Sequence, residues 1–509
     1  MAKYFLGLDV GTSGLKTVLI DAAGRVVTTN IQDYPIYSPK PLWSEQDPQD
    51  WWLAAIKGIR QAIKDARIKP AEVAGLGLSG QMHGSVFLAD GIKPLRRAIL
   101  WNDQRTADEC AAIEKAAGGR KSLIRMVANP ALAGYTAPKI LWLRNHEPNV
   151  YKKVRHILLP KDYLRLCLTG DYATEVSDAS GTLLLDVHKR TWRLGLIKKL
   201  GLDPDWFPKC YESPDVTGRI NDFAAKLTGL PAGVPVVGGG GDQACGAVGS
   251  GIVGPGIVSA TLGTSGVVFA YSDRPDYDPD GRLQTMCHAV PGKWCVFGCM
   301  LAAGGSFQWF RNQLGRQEID QAKRRKIDPY QLLIDQAETA QPGCEGLFFL
   351  PYLTGERCPY PDPCARAGFI GITARTDRAA LIRSVLEGIT YGMSDQIRIM
   401  RDMGVRITQV RASGGGARSE VWRRLQADIY NAAVVTVNVA EGSALGAAIL
   451  AAVGTGQFAS VPQACAKIIK TLNPVKPDPK RVKLYARHYV EYRKLYQVLK
   501  PQFPVLAGL

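Results

Sequence analysis

A duplicated α/β protein, with two domains of similar size facing each other across a cleft, is the fold the sequence predicts. Three observations carry that expectation: a length of 509 residues, a glycine turn that occurs twice at half-length spacing, and apolar β-branched runs that lead into glycine segments and then helical patterns. A chain of this length is too long for one ordinary core, so two domains of roughly 250 residues are expected. At 46% hydrophobic and 21% charged residues, with no low-complexity tract, the composition is that of a folded globular chain. The boundary is therefore a compact hinge, and the expected division is residues 1–247 and 248–509.

The repeated turn is Gly11-Thr12-Ser13-Gly14, which recurs as Gly263-Thr264-Ser265-Gly266, 252 residues on (263 − 11). Apolar runs flank each copy, residues 4–10 and 15–20 around the first and 257–262 and 267–271 around the second. Each predicts strand, tight turn, strand. Gly, Thr and Ser are ordinary hairpin residues. Two identical turns, each opening one half of the chain, fit a duplicated hairpin domain whose copies approach one polyphosphate. Glycine lets backbone N–H groups close on phosphate oxygens, and Thr and Ser hydroxyls add donors. Gly11, Thr12, Ser13, Gly263 and Thr264 are thus candidate phosphate contacts.

A run of four glycines, Gly238 to Gly241, follows the apolar residues 234–237 and ends in Asp242-Gln243. Its Gly239-x-Gly241-x-x-Ala244 spacing matches a loose dinucleotide fingerprint. No acidic residue follows from Gln243 through Ser272, where a ribose-binding carboxylate should fall, so NAD is excluded. The chain also lacks a Gly-x-x-x-x-Gly-Lys-Ser/Thr P-loop. A further segment, Ser413 to Ser419, ends the strand-like run 407–412 and starts a helical pattern through Val421, Leu425 and Ile429. Strand, glycine turn and helix in that order suit a nucleotide, though glycines at a helix start also serve packing.

Two carboxylates stand where they can do chemistry. Asp9 ends the first strand just before the first glycine turn, a place from which a carboxylate holds Mg²⁺ through water or simply caps a turn. Asp242, where small residues clear space for a ligand, is a candidate general base. Phosphoryl transfer to a hydroxyl needs little more than these parts: a metal and amide donors for charge, and one carboxylate for the alcohol proton.

Composition narrows the alternatives. Eleven cysteines without a Cys-x-x-Cys pair or an export signal favour reduced, buried thiols and a cytoplasmic location. Cys287, His288, Cys295 and Cys299 fit no standard zinc spacing and read as core. The longest apolar stretch, residues 444–453, is far short of the roughly 18 that a membrane span needs, and reads as a buried helix. The net charge of +17 is spread along the chain without a nucleic-acid-binding motif. Its densest run, Lys323 to Lys326, reads as solvated surface, so neither nucleic acid nor membrane is an expected partner.

Several segments resemble the FGGY family of carbohydrate kinases, and the resemblance covers nearly the whole chain. They are Leu8 to Gly14, Gly134 to Leu143, Leu350 to Arg357, and Ser413 to Ser419 followed by Trp422. The stretch from Gly371 to Glu387 is similar too, but has Ala380 where a polar residue is expected at a helix start. The resemblance implies two actin-like (ribonuclease H-like, duplicated) ATPase domains with a catalytic cleft between them, sugar held mainly by the first and ATP by the second. It implies that Asp242 is the catalytic base and that Asp9 serves Mg·ATP as metal ligand. It places Met82, His83, Asp242, Gln243, Trp101 and Asn102 at the sugar, and Gly263, Thr264, Gly415, Gly416 and Ala417 at the nucleotide. Within the family, Ser79 to Gly84, Trp101-Asn102-Asp103 and Gly304 to Phe310 are most similar to the branch that phosphorylates D-xylulose at its C5 hydroxyl.

Other readings predict different behaviour. A kinase for ribulose or erythritol differs by one or two pocket contacts. A nucleotide switch of the actin or chaperone kind shares the fold but answers to a protein partner. A nucleic-acid binder would hold duplex DNA in a salt-sensitive manner. The basic, Tyr-rich helical stretch 481–499 is expected either to pack on the second half or to support a homodimer.

Overall fold

The computed structural model describes residues 3–509. Each half carries a seven-stranded sheet. In the first, Tyr4–Val10, Gly14–Asp21 and Val26–Asp33 form an antiparallel meander, and Tyr4–Val10 pairs in parallel with Val73–Gly80 on its other side. Pro235–Val237 continues the parallel run, and Val216–Arg219 closes it antiparallel. The second sheet repeats this with Gly256–Leu262, Gly266–Ser272 and Trp294–Met300 as the meander, then Ile407–Gly414 and Ala433–Val437 in parallel and Thr471–Val475 antiparallel. Even a local irregularity recurs. The register slips between Tyr4 and Phe5 in one sheet and between Gly256 and Ile257 in the other, again 252 residues apart (256 − 4). Both glycine turns therefore sit at equivalent hairpins of a duplicated sheet.

The flanking helices begin where local chemistry tells them to. Pro48–Ala66 is capped by Asp47, and Glu420–Tyr430 by Ser419. At Ala380, where the family pattern is broken, the helix Arg378–Asp402 still starts cleanly, because the Asp377 side chain accepts the Ala380 amide at 2.8 Å. Lys323, Arg324 and Arg325 occupy the last turn of the helix Arg316–Arg325, exposed and complementary to its dipole.

The apolar stretch 444–453 forms the helix Gly442–Gly454, which is buried, but it packs on the sheet of the opposite half, across Tyr4–Val10 and Val73–Gly80. Its other face meets the helix Asp242–Gly249. The helix Pro479–Leu499 lays Tyr485, Tyr492 and Tyr496 into the core of the second half, against Tyr391, Tyr352 and Tyr360. Cys287 and Cys295 direct their thiols to backbone carbonyls, and His288 Nε2 lies 3.0 Å from the Ile252 carbonyl, which is core packing. Among the described residues, no helix is long and apolar enough to cross a membrane.

Candidate active site

The edge-to-edge order of strands decides what meets at the cleft. Asp9 pairs with Ser79, and Ser79 pairs with Gly240, so the ends of three parallel strands deliver Asp9, Ser79 and the Asp242 turn side by side. Ligands of parallel α/β sheets bind beyond these carboxyl ends. Ser79 Oγ donates to Asp9 Oδ1 at 2.9 Å. Burial raises the pKa of Asp9, with the Ser79 bond and Lys16 opposing it. Burial, and then the charge of Asp9, push Asp242 up to about 7. Asp242 is thus a carboxylate poised to gain or lose a proton near neutrality.

The first glycine turn is braced from three sides. Tyr34 Oη donates to the Gly11 carbonyl at 2.6 Å, Gln46 Nε2 to the Thr12 carbonyl at 2.6 Å, and the Ser13 carbonyl accepts from the Tyr34 amide at 3.4 Å. Trp101 Nε1 donates to Thr12 Oγ1 at 3.0 Å, joining this turn to the wall of the largest cavity described here.

That cavity, about 670 Å³, lies between the halves. Met82, His83, Trp101, Asp242 and Gln243 line it from the first half, all of them expected at the sugar. Asn102, also expected there, is exposed and not among the lining residues, whereas Gln104 is. His83 holds a positive φ of 69°. Its Nδ1 lies 2.7 Å from the Gly181 carbonyl, which only an Nδ1–H can satisfy. Burial, only partly opposed by that bond, lowers its pKa to about 3, so the ring is neutral and Nε2 is left as an acceptor. Behind it, buried Lys139 donates to the carbonyls of His83 at 2.8 Å and Gly134 at 2.7 Å, clamping two wall segments together. Burial brings the Lys139 pKa down to about 7.

The second half supplies a wall of Ser265, Phe297, Cys299, Glu356 and Arg357, of which Ser265 belongs to the second glycine turn and Cys299, expected in the core, is instead half-buried at the cavity. Glu356 Oε1 accepts the amides of Leu301 at 3.0 Å and Arg357 at 2.7 Å, and burial nonetheless raises Glu356 to about 7. Arg357 presents an exposed guanidinium to the cavity. For Glu356 and Arg357 the only advance signal was that they close the family-like segment 350–357.

An adjoining cavity of about 340 Å³ is lined by Gly263, Thr264, Gly304, Gly415, Gly416 and Trp422 among others. Ala417 is buried behind it, its carbonyl accepting from Arg423 Nη1 at 2.5 Å. The second glycine turn divides the two spaces: Gly263 and Thr264 face the smaller, Ser265 the larger. A molecule with a phosphate tail in one cavity and a hydroxyl-bearing molecule in the other would meet at this turn.

Comparison with known proteins gives the family. The chain matches the FGGY family of carbohydrate kinases, N-terminal domain, over residues 4–249, and the C-terminal domain of the same family over residues 258–455. It is 38% identical over 499 residues to the xylulose kinase of Escherichia coli K12, covering 98% of this chain and 99% of that one. Among solved structures, the xylulose kinase of Rhodospirillum rubrum superposes with a TM-score of 0.92 at 29% identity, covering 98% of this chain and all of its own. A gluconate kinase from Lactobacillus acidophilus gives 0.90 at 26% identity, with 99% of this chain and all of its own covered. With both halves matched in order and a relative this similar along nearly its whole length, the chain belongs to the FGGY family of carbohydrate kinases.

Proposed function

We propose that this kinase transfers the γ-phosphoryl group of ATP to the C5 hydroxyl of D-xylulose, giving D-xylulose 5-phosphate and ADP. The observation that carries the reading is the shared glycine turn, with the Gly263 and Thr264 side on the nucleotide cavity and the Ser265 side on the cavity that contains Asp242, Met82 and His83. Nucleotide and sugar therefore approach from opposite faces of one turn. Asp242 accepts the C5 hydroxyl proton as that oxygen attacks phosphorus, and Gln243 and the His83 Nε2 acceptor orient the remaining hydroxyls. Trp101 covers the sugar from the side of the first turn. The two bodies, 1–247 and 248–509, close over the cavity and exclude water, which competes with the alcohol for ATP.

Among the described residues, no group of three or more His, Cys, Asp or Glu could hold a metal ion unaided. The donors present, Asp9 with Ser79 beside it and Asp242 across, suit a magnesium ion that arrives with the nucleotide and keeps most of its waters. Asp9 would hold it, and the chemistry it supplies there is neutralisation of phosphate charge. On the same turn the Gly11 amide is shared between the Asp9 and Gly14 carbonyls at 3.1 Å each, and the Thr12 hydroxyl donates to Gln81 Oε1 at 3.4 Å. Gly11 thus shapes the turn while Thr12 and Ser13 supply the donors beside the phosphates, and Gly415, Gly416 and Ala417 form the floor beneath the nucleotide.

ADP release measured with Mg·ATP and a panel of D-xylulose, L-xylulose, D-ribulose, L-ribulose, glycerol, gluconate and erythritol tests the substrate. D-xylulose is expected to exceed every other sugar in kcat/KM by roughly tenfold or more, the value of one or two pocket contacts. A higher value for another sugar would transfer the assignment to it; ATP turnover indifferent to all of them would end the kinase reading.

Lys139 gives a second check. Lys139→Met removes the clamp on the His83 and Gly134 carbonyls, so sugar KM is expected to rise roughly 10- to 100-fold, from a loss of ~1.5–3 kcal/mol. The nucleotide cavity is untouched, and the KM for ATP should stay within about twofold. An unchanged sugar KM would show that the clamp plays no part in binding.

A further inference from the structure

Beneath the glycine run that carries Asp242 lie four ionisable side chains at or near zero exposure: Lys161, Asp162, Glu175 and Asp178. Lys161 Nζ is 2.6 Å from Asp162 Oδ1 and 3.5 Å from both Glu175 Oε1 and Asp178 Oδ2. One cation thus serves three carboxylates. Glu175 is fully engaged, accepting the amides of Ser177 and Asp178 at 2.7 Å each and the hydroxyls of Ser177 and Ser213 at 2.9 Å each. Asp178 has no hydrogen-bond partner on either oxygen. Burial, then its acidic neighbours Asp162, Glu175 and Asp242, hold it well above the usual carboxylate range, with Lys161 opposing. Such a buried carboxyl is tolerated in its protonated form.

This cluster explains glycines that a ligand would otherwise have to explain. A Cβ on Gly240 would stand 2.9 Å from Cys245 Sγ and 3.2 Å from Ser177 Oγ, one on Gly238 3.2 Å from Glu175 Cβ, and one on Gly80 3.1 Å from Lys161 Cβ. Of the glycine run expected to clear space for a ligand, Gly238 and Gly240 let the cluster approach the strand ends, while Gly241 makes room for Met82, whose Cγ its Cβ would meet at 2.8 Å. One hydroxyl joins the two. Ser177 Oγ donates to Glu175 Oε1 and accepts the Gly241 amide at 3.1 Å. Gly241 is the N-cap residue of the helix that begins at Asp242. Asp242 is otherwise faced by Asp9 from the first strand, by Asp178 from the segment after Glu175, and by the uncharged helix Gly442–Gly454, whose Ser443 Oγ donates to the Asp242 carbonyl at 2.9 Å.

We infer that Ser177 is a positioning residue: it couples the buried Lys161–Glu175 pair to the turn that aims Asp242 at the sugar hydroxyl. The inference rests on Asp242 being the base. The link fixes a backbone amide next to the reacting carboxylate, and misplacement by about 1 Å costs on the order of 10²-fold in rate. Ser213 is the internal comparison, because its hydroxyl gives Glu175 the same 2.9 Å bond but has no link to Gly241.

The experiment compares kcat and both KM values for the full-length enzyme and four variants, with thermal midpoints recorded. Ser177→Ala is expected to lose roughly 10- to 100-fold in kcat with sugar and ATP KM within about threefold. Ser177→Thr keeps the hydroxyl and should recover most of that loss. Ser213→Ala should stay within about threefold of the parent. Ser177→Cys, which fills the site but offers only a weak donor and acceptor, should lose about tenfold and stands in if the alanine variant does not fold. Equal losses in Ser177→Ala and Ser213→Ala, or full kcat in folded Ser177→Ala, would overturn the inference. A parent enzyme without sugar-dependent turnover would instead sink the functional reading on which it rests.

Discussion

Asp242→Asn is expected to lower sugar-dependent kcat by roughly 10²–10⁴-fold, the usual worth of a general base, and at the same time to make the protein more stable at neutral and alkaline pH. Both effects follow from one carboxyl. Its pKa stands at about 7 in the fold against an ordinary 3.8, so the native state holds the proton more firmly than the unfolded chain does. The stability that this proton contributes is fully present below about pH 4 and is lost as pH rises through 7. Asparagine never ionises and loses nothing across that window. The variant's advantage should therefore be absent near pH 4 and reach the order of a few kcal/mol by pH 8. For the parent enzyme, the ionised base is the active form, so kcat/KM should fall about tenfold per pH unit below 7. Turnover of Asp242→Asn close to that of the parent, or equal stability of the two proteins at both pH values, would remove Asp242 from the proposed role.

What could be read in advance divides along physical lines. The two Gly-Thr-Ser-Gly turns were legible as hairpins because a tight turn leaves its composition in four adjacent letters, and the strands beside them because burial writes itself as apolar, β-branched runs. Asp242 could be singled out as a candidate base from the glycine run that precedes it, whereas Met82, His83 and Gln243 were singled out only through resemblance. The wall formed by Cys299, Glu356 and Arg357 was not legible. It lies more than 200 residues from His83 in the chain, and no local pattern records that a loop of one half faces a strand end of the other. Asn102 shows the limit at single-residue scale. Asp103 next to it is held inward, accepting the Ser44 amide at 2.7 Å and pairing with Arg105 at 2.6 Å, and this leaves Asn102 exposed while Gln104 reaches the cavity.

The helix Gly442–Gly454 illustrates the same limit and yields the second large effect. Its composition announces burial, but not that it crosses to the sheet of the other half, nor that backbone meets backbone there. A Cβ on Gly446 would fall far inside van der Waals contact with the Cys245 carbonyl oxygen and 2.6 Å from its carbon, and a Cβ on Gly7 would collide with Ala444 in the same way. Neither neighbour is a side chain that can turn aside. Two terms then compete in Gly446→Ala: helix propensity favours alanine by about 1 kcal/mol, and overpacking against a rigid backbone costs about 1–3 kcal/mol or more. Overpacking wins, because relief requires the helices Gly442–Gly454 and Asp242–Gly249 to separate, and the second of these begins at Asp242. Gly446→Ala is accordingly expected to lower the thermal midpoint by several degrees and to cut kcat. Gly195, in the helix Leu194–Lys199, has nothing within 4 Å of an added Cβ, so Gly195→Ala should instead leave the midpoint unchanged or raise it slightly. If both alanines shifted the midpoint in the same direction, propensity rather than contact would govern the site, and the close passage of the two helices would carry no mechanical link to Asp242.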